Sequence, residues 1–149
     1  MSKQQDYSKR KKAADLFWEA IPPIWYLMHS QIDKTAREKF EITGGHFHIL
    51  RRIKNGDTSI SELANARHIS RPVVSRKVDS LVEKGLVSRS ESPEDRRFTV
   101  LELTPLGDKI LQELSISNRG WLEDQLGTFG DQELETVIEA FSTLKKISI

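Results

Sequence analysis

Apolar residues recur at helical spacing along most of this chain and alternate in only two short stretches. Residues 10–38 set Leu16, Phe17, Ala20, Ile21, Ile24, Trp25 and Met28 on or near one stripe, which predicts a long helix. Pro22-Pro23 predicts a kink or break inside it, because proline removes a donor and crowds the preceding turn. Thr43-Gly44-Gly45 opens a second helix carrying Phe47, Ile49, Leu50 and Ile53, and Asn55-Gly56-Asp57 ends it. A third, short helix is predicted over residues 62–67; Ser59 and Glu62 stand at capping-box spacing, with Ser61 a competing N-cap.

The fourth helix is the most clearly written. Ser70 is placed to cap it, and Pro72 falls in the first turn, where a missing N–H costs nothing. Val74, Val78, Leu81 and Val82 make one apolar face, and Gly85 closes the C-terminus. Two strands follow, residues 86–89 and 98–103, joined by a polar loop over residues 90–97. Thr104-Pro105 opens a fifth helix; Gly127 and Gly130 separate it from a sixth, which Asp131 caps and Leu134, Val137, Ile138, Phe141, Leu144 and Ile147 line. A short helix, a tight turn, a well-capped helix and then a hairpin is the order of a winged helix-turn-helix. The expected fold is therefore mainly α with a small β-hairpin wing. It divides as an N-terminal arm and dimerisation helix (1–38), the winged domain (40–104) and C-terminal dimerisation helices (105–149).

With Val74, Val78 and Leu81 turned to a core, the fourth helix presents Arg71, Val73, Ser75, Arg76 and Lys77. A helix of this kind fits the major groove of duplex DNA, and arginine is the commonest reader of guanine edges. Arg71 and Arg76 are the candidate base readers, Ser75 and Val73 their smaller neighbours, and Lys77 a phosphate contact. Ser70 belongs to the same segment, because a helix N-terminus holds phosphate. The hairpin tip carries Asp95, Arg96 and Arg97. A narrow minor groove attracts an inserted arginine, and Asp95 is suited to orienting one through a charge-assisted hydrogen bond.

Charge sharpens this picture. The total is +1, but residues 1–12 sum to +4, and residues 67–97 hold eight cations against five anions. Residues 113–141 are acidic, with seven anions and only Arg119 in opposition. No cysteine is present, which excludes disulfides, thiolate metal sites and thiol redox sensing. The longest apolar runs are far too short to span a bilayer, and no signal-peptide core follows the basic N-terminus, so a cytoplasmic location is expected. The basic arm is open to two readings, further phosphate contacts or disorder, and disorder is the one expected of a terminal segment.

Leu63-Ala64, SRPVVSRKVDSLVEKGLV (70–87), DRRFTVLELT (95–104) and Pro105-Leu106-Gly107 resemble the MarR family of bacterial winged helix-turn-helix regulators. The ordered set Leu81, Gly85, Leu86, Val87, Asp95, Arg97, Leu103, Thr104 and Gly107 carries the likeness, which spans about residues 40–112. The resemblance implies a sequence-specific transcriptional regulator, a ligand-responsive repressor, that binds double-stranded DNA at a pseudo-palindromic operator. It implies Arg97 as the minor-groove arginine with Asp95 as its partner, and residues 70–77 as the groove-entering segment. It also implies a homodimer knitted by the first, fifth and sixth helices. The apolar load of those helices (Phe17, Trp18, Trp25, Trp121, Leu122, Phe129, Phe141 among it) independently exceeds what a winged domain of about 70 residues can bury.

Family members respond to small aromatic or anionic effectors held between dimerisation helices and winged domain, and Trp18, Trp25, Tyr26, His29 and His46 are the candidate lining here. No metal site or cofactor is expected. His46 and His48 are two residues apart and face different sides of one helix, leaving only His29 with one of them and a carboxylate as a conceivable zinc arrangement. Enzyme function is not expected either: Ser70, His68 and Asp79 are local neighbours without an oxyanion device, and no phosphate loop appears. The alternative is a winged-helix protein–protein interaction module that shares the fold without binding DNA.

Overall fold

The structure is a computed structural model that describes residues 3–147, with side chains described from residue 7 onward. Met1, Ser2, Ser148, Ile149 and the side chains of Lys3 and Asp6, two members of the basic arm, lie outside the described residues. Six helices and one hairpin follow in order: α1 (Lys3–Phe40), α2 (Gly44–Lys54), α3 (Ile60–Arg67), α4 (Arg71–Glu83), β1 (Val87–Glu91), β2 (Thr99–Leu103), α5 (Pro105–Leu126) and α6 (Asp131–Leu144). They form two compact units, Met1–Leu114 and Ser115–Ile149.

In the first unit, Ile42, Ile49, Leu50, Leu63, Val74, Val78, Leu81 and Leu101 are fully enclosed. Each such aliphatic side chain contributes about 1.5–3 kcal/mol by leaving water. The 4- and 7-residue spacing of Val74, Val78 and Leu81 thus becomes the face that seats α4, with Val82 half-buried at its edge. Only the last third of α1 joins this core, through Ile32, Ala36 and Phe40.

The capping residues decide where each helix begins. Ser59 Oγ accepts the Glu62 N–H at 3.2 Å, and the Glu62 carboxylate accepts the N–H groups of Ser59 and Thr58 at 3.0 and 2.8 Å. Ser59 therefore wins over Ser61, and α3 starts at Ile60, two residues earlier than the apolar pattern predicts. At α2 the same reciprocal cap is closed by a histidine. Thr43 N–H donates to His46 Nδ1 at 3.0 Å, while Thr43 Oγ1 accepts from His46 N–H at 3.3 Å. The α3–α4 turn passes through His68 in the left-handed region (φ 51°), where it ends α3.

β1 and β2 pair antiparallel from Val87↔Leu103 to Glu91↔Thr99. Leu101 N–H donates to Thr58 C=O at 2.8 Å, so the outer edge of β2 is tied to the α2–α3 segment. At its far end the hairpin is fixed by Thr104, whose hydroxyl donates to Gly85 C=O (2.6 Å) and accepts from Gly107 N–H (3.0 Å). Gly85, at φ 69°, supplies the left-handed turn out of α4. Gly107 has a different reason for being glycine: a Cβ there would lie 1.9 Å from the Leu86 carbonyl oxygen.

Four expectations are corrected. Pro22-Pro23 does not break α1, which is helical from Lys3 to Phe40, and the basic cluster Lys9–Lys12 is part of it. The prolines remove the donors for the Trp18 and Glu19 carbonyls, but that stretch is exposed, so water can take them. Asp131 is the first residue of α6 and not its cap; Gly130 holds that position, its N–H donating to Glu133 at 2.9 Å. Ser70 stands at the N-cap of α4 with extended backbone, yet its hydroxyl makes no capping bond. The strands are also shifted: β1 extends to Glu91 and β2 begins at Thr99, which leaves Phe98 exposed in the loop.

In the second unit the apolar stripe of α6 is exposed at Ile138, Phe141 and Leu144. In the first, Leu16, Phe17, Trp18, Ile24, Trp25 and Leu27 of α1 are likewise open. Among the described residues, no helix is long and apolar enough to cross a membrane.

Two outcomes follow from this framework. Gly107→Ala should cost about 2–4 kcal/mol, since backbone and not a flexible side chain blocks the new methyl, and a thermal melt reads the loss directly. The second concerns pH. Burial, and then Lys77, Lys84 and Arg37, push the His46 pKa from 6.5 down to about 4. The unfolded chain then binds more protons than the folded one between those values. His46's contribution is therefore whole above about pH 6.5 and lost as pH falls toward 4. Melting temperature should drop between pH 7 and pH 5, and His46→Gln, which keeps an acceptor for Thr43 N–H, should flatten that slope.

Candidate nucleic-acid interface

The outer side of α4 is shaped by how its inner side packs. Arg71 and Arg76 are exposed, while Val73, Ser75 and Lys77 are half-buried. Arg71 donates to Ser61 Oγ of α3, so its guanidinium is braced across the helix-turn-helix. Arg76 has no ion pair or hydrogen bond among the described residues, which leaves its fork open toward solvent. Lys77 is drawn back: a Cβ on Gly45 would sit 2.8 Å from its ammonium nitrogen, so the side chain lies over the start of α2 and not beside Arg76. Ser70 is exposed at the α4 N-terminus with its hydroxyl free of the cap.

The wing holds its arginines in two different ways. Arg97 Nε lies 3.1 Å from both Asp95 carboxylate oxygens, a terminal nitrogen of the same guanidinium lies 2.8 Å from Oδ2, and Arg97 N–H reaches Oδ1 at 3.0 Å. The Arg97 hydrogen bonds, side chain before backbone, hold the Asp95 carboxyl below its usual range. The Arg97 side chain is still 85% exposed, so the pairing fixes its direction without hiding it. Arg96 is freer, 91% exposed and 4.0 Å from Glu91. The loop closes on itself through Ser92 N–H to Phe98 C=O (2.8 Å) and Phe98 N–H to Asp95 C=O (3.0 Å).

One groove, of about 300 Å³, brings the two elements together, since Ser75 of α4 and Arg89, Arg97 and Phe98 of the hairpin all border it. Arg89, on β1, pairs with Asp79 of α4 at 2.5 Å, a strap between helix and wing. Sequence reading counted Arg89 only as charge and gave Phe98 to the strand. The signal for Arg89 was the opposite signs of residues 79 and 89, which only the hairpin's return past α4 makes meaningful.

The other candidate residues divide. Trp25, Tyr26 and His29 of α1 border a cleft against α2 and α3, made of two adjoining cavities of about 330 and 500 Å³. Trp18 does not line it; it is 73% exposed and stands edge-on to Phe17. His46 is committed to the α2 cap, and His48 occupies the cleft instead, stacked on His29 at 5.2 Å between ring centroids. Their two-residue spacing on one helix separates them: one faces the cap, the other the cleft. Trp25 packs on His29 at 4.0 Å, and Arg67 of α3 borders both cavities. Among the described residues, no group of three or more His, Asp or Glu is placed to hold a metal ion.

A model of the MarR family matches residues 42–99. YpoP, an HTH-type transcriptional regulator of Bacillus subtilis, is 33% identical over 107 residues, covering 71% of this chain and 76% of the relative. The chain belongs to the MarR family. The fold agrees with two solved structures that are more distant in sequence. Transcriptional regulator Tm0710 of Thermotoga maritima superposes with TM-score 0.74 at 22% identity, covering 89% of this chain and 94% of that one. Staphylococcus aureus MarR in complex with salicylate and kanamycin gives 0.72 at 20% identity, over 94% and 95%. Membership makes the protein a DNA-binding transcriptional regulator and not an enzyme.

Within this MarR-family wing, Asp95→Ala should release Arg97 and loosen the 92–98 turn. Amide exchange in that turn should speed up, and DNA affinity should fall about tenfold, a cost of about 1.4 kcal/mol, with the melting temperature unchanged.

Proposed function

We propose that the protein is a repressor that binds a pseudo-palindromic duplex operator as a homodimer and responds to a small aromatic or anionic effector. The observation that carries the DNA reading is the shared groove: Ser75 of α4 and the Asp95-braced Arg97 border one notch, and the exposed Arg76 follows Ser75 along α4. A helix in the major groove with an arginine in the neighbouring minor groove needs this adjacency. In this reading Arg71 and Arg76 read bases, Val73 and Ser75 contact them more weakly, Arg97 enters the minor groove, and Ser70, Lys77 and Arg96 serve phosphates. Lys77 must swing away from Gly45 to do so. The basic start of α1 supplies further phosphate contacts, and the site of action is the cytoplasm.

Dimerisation is supported by the open apolar residues of α1 and α6, which a second copy would cover. Two-fold symmetry then sets half-sites about one helical turn apart. The effector reading is supported by the cleft of Trp25, Tyr26, His29, His48 and Arg67, and by the salicylate complex among the structural relatives.

Selection from a random duplex pool should return a palindrome; random sequences of no symmetry would overturn the dimeric reading. Arg97→Ala should weaken operator binding by about 1–3 kcal/mol. Arg76→Ala should lower affinity and relax sequence preference together, whereas equal losses on specific and random DNA would make it a phosphate contact. Affinity should fall steeply with salt, as several phosphate contacts require; a salt-independent or absent affinity would favour a protein–protein module.

A further inference from the structure

Three groups around the α1–α2–α3 cleft stand in surroundings that their chemistry does not favour. His29 Nδ1 and His48 Nε2 are shut off from solvent and have no hydrogen-bond partner among the described residues. Such groups are costly until something satisfies them. Arg67 is partly desolvated, which lowers its pKa, and no acidic neighbour offsets that loss. All three border both cavities of the cleft. An unmatched guanidinium beside two unsatisfied imidazoles lacks an anion, and Trp25 against His29 with Tyr26 nearby offers flat apolar surface to an aromatic one.

We propose that an aromatic carboxylate bound in this cleft brings a proton with it, His48 taking up the proton against the stacked His29 while Arg67 supplies the fixed positive charge. The proposal rests on the effector reading above and adds the proton to it. In the empty cleft, burial first, then Arg67, His29 and Arg51, push the His48 pKa from 6.5 to about 4, so the ring is neutral at pH 7. The charged and titratable groups facing it come from three elements. α1 contributes His29, Tyr26 and Asp33, but Asp33 is committed to Arg37 (2.6 Å) and Gly44 N–H (2.8 Å). α2 contributes Arg51 and Arg52, the latter paired with Asp57. α3 contributes Arg67 and His68. The balance around His48 is cationic, and a carboxylate placed against Arg67 offsets part of it. The imidazolium then gains an anionic neighbour, so its pKa rises and binding draws one proton from water onto the ring. No bond to the ligand forms or breaks.

Titration calorimetry with benzoate on the full-chain protein at pH 6, in two buffers of different ionisation enthalpy, reads this directly. Benzoate stays ionised there, so any proton uptake on binding belongs to the protein. Affinity should fall up to tenfold per pH unit as pH rises from 6 to 8. His48→Asn should bind benzoate with no uptake and a flat pH profile, and Arg67→Gln should lose benzoate while keeping its melting transition. Equal heats in both buffers, or uptake that persists in His48→Asn, would overturn the proton-coupled step and leave the effector reading standing. Failure of the unmodified protein to bind benzoate at millimolar concentration would overturn both.

Discussion

Backbone meets backbone where α5 begins, and the placing of the wing depends on that contact. Gly107 lies so close to the Leu86 carbonyl that a single methyl would not fit, and Thr104 bridges the same gap by hydrogen bonds to Gly85 and Gly107. The turn out of α4, the first residue pairs of the hairpin and the first turn of α5 are thereby one rigid piece. In the proposed reading a wing arginine is useful only if its distance from α4 is fixed, because base edges and grooves are fixed by the DNA. The Asp79–Arg89 pair adds a second tie from helix to hairpin, though an exposed ion pair contributes only about 0–1 kcal/mol and serves direction more than stability.

The same division between rigid frame and presented charge recurs at the loop tip. Asp95 spends its carboxylate on holding Arg97, and in return Arg97 keeps nearly all its surface available. Arg76 is presented by the opposite device, an exposed helical position with no partner among the described residues. The geometry explains how an arginine can be aimed without being buried.

Two histidines on one helix turn show how close the sequence came to the second site. His46 and His48 could be told apart as facing different sides, but not which side held a cleft. The structure gives His46 to the α2 cap, where Thr43 is its partner, and His48 to the stack with His29. Trp18 failed as a lining residue for the same kind of reason: its helical position was right, but α1 carries it beyond the part that packs on α2. Arg67 was invisible as a site residue, since nothing local marks a cation that ends up without a carboxylate.

The order of elements, the inner face of α4, the Ser59–Glu62 cap and the DxR pair at the wing were all set by short-range pattern, because spacing along one helix or one turn is fixed by covalent geometry. Which of Ser59 and Ser61 caps α3, whether a proline pair breaks a solvated helix, and where Lys77 points were decided by competition among alternatives of similar local energy. Tertiary packing broke those ties. It alone brought His29, His48 and Arg67, residues from three helices, around one cleft, since only the folded chain can set charges side by side that sequence keeps apart.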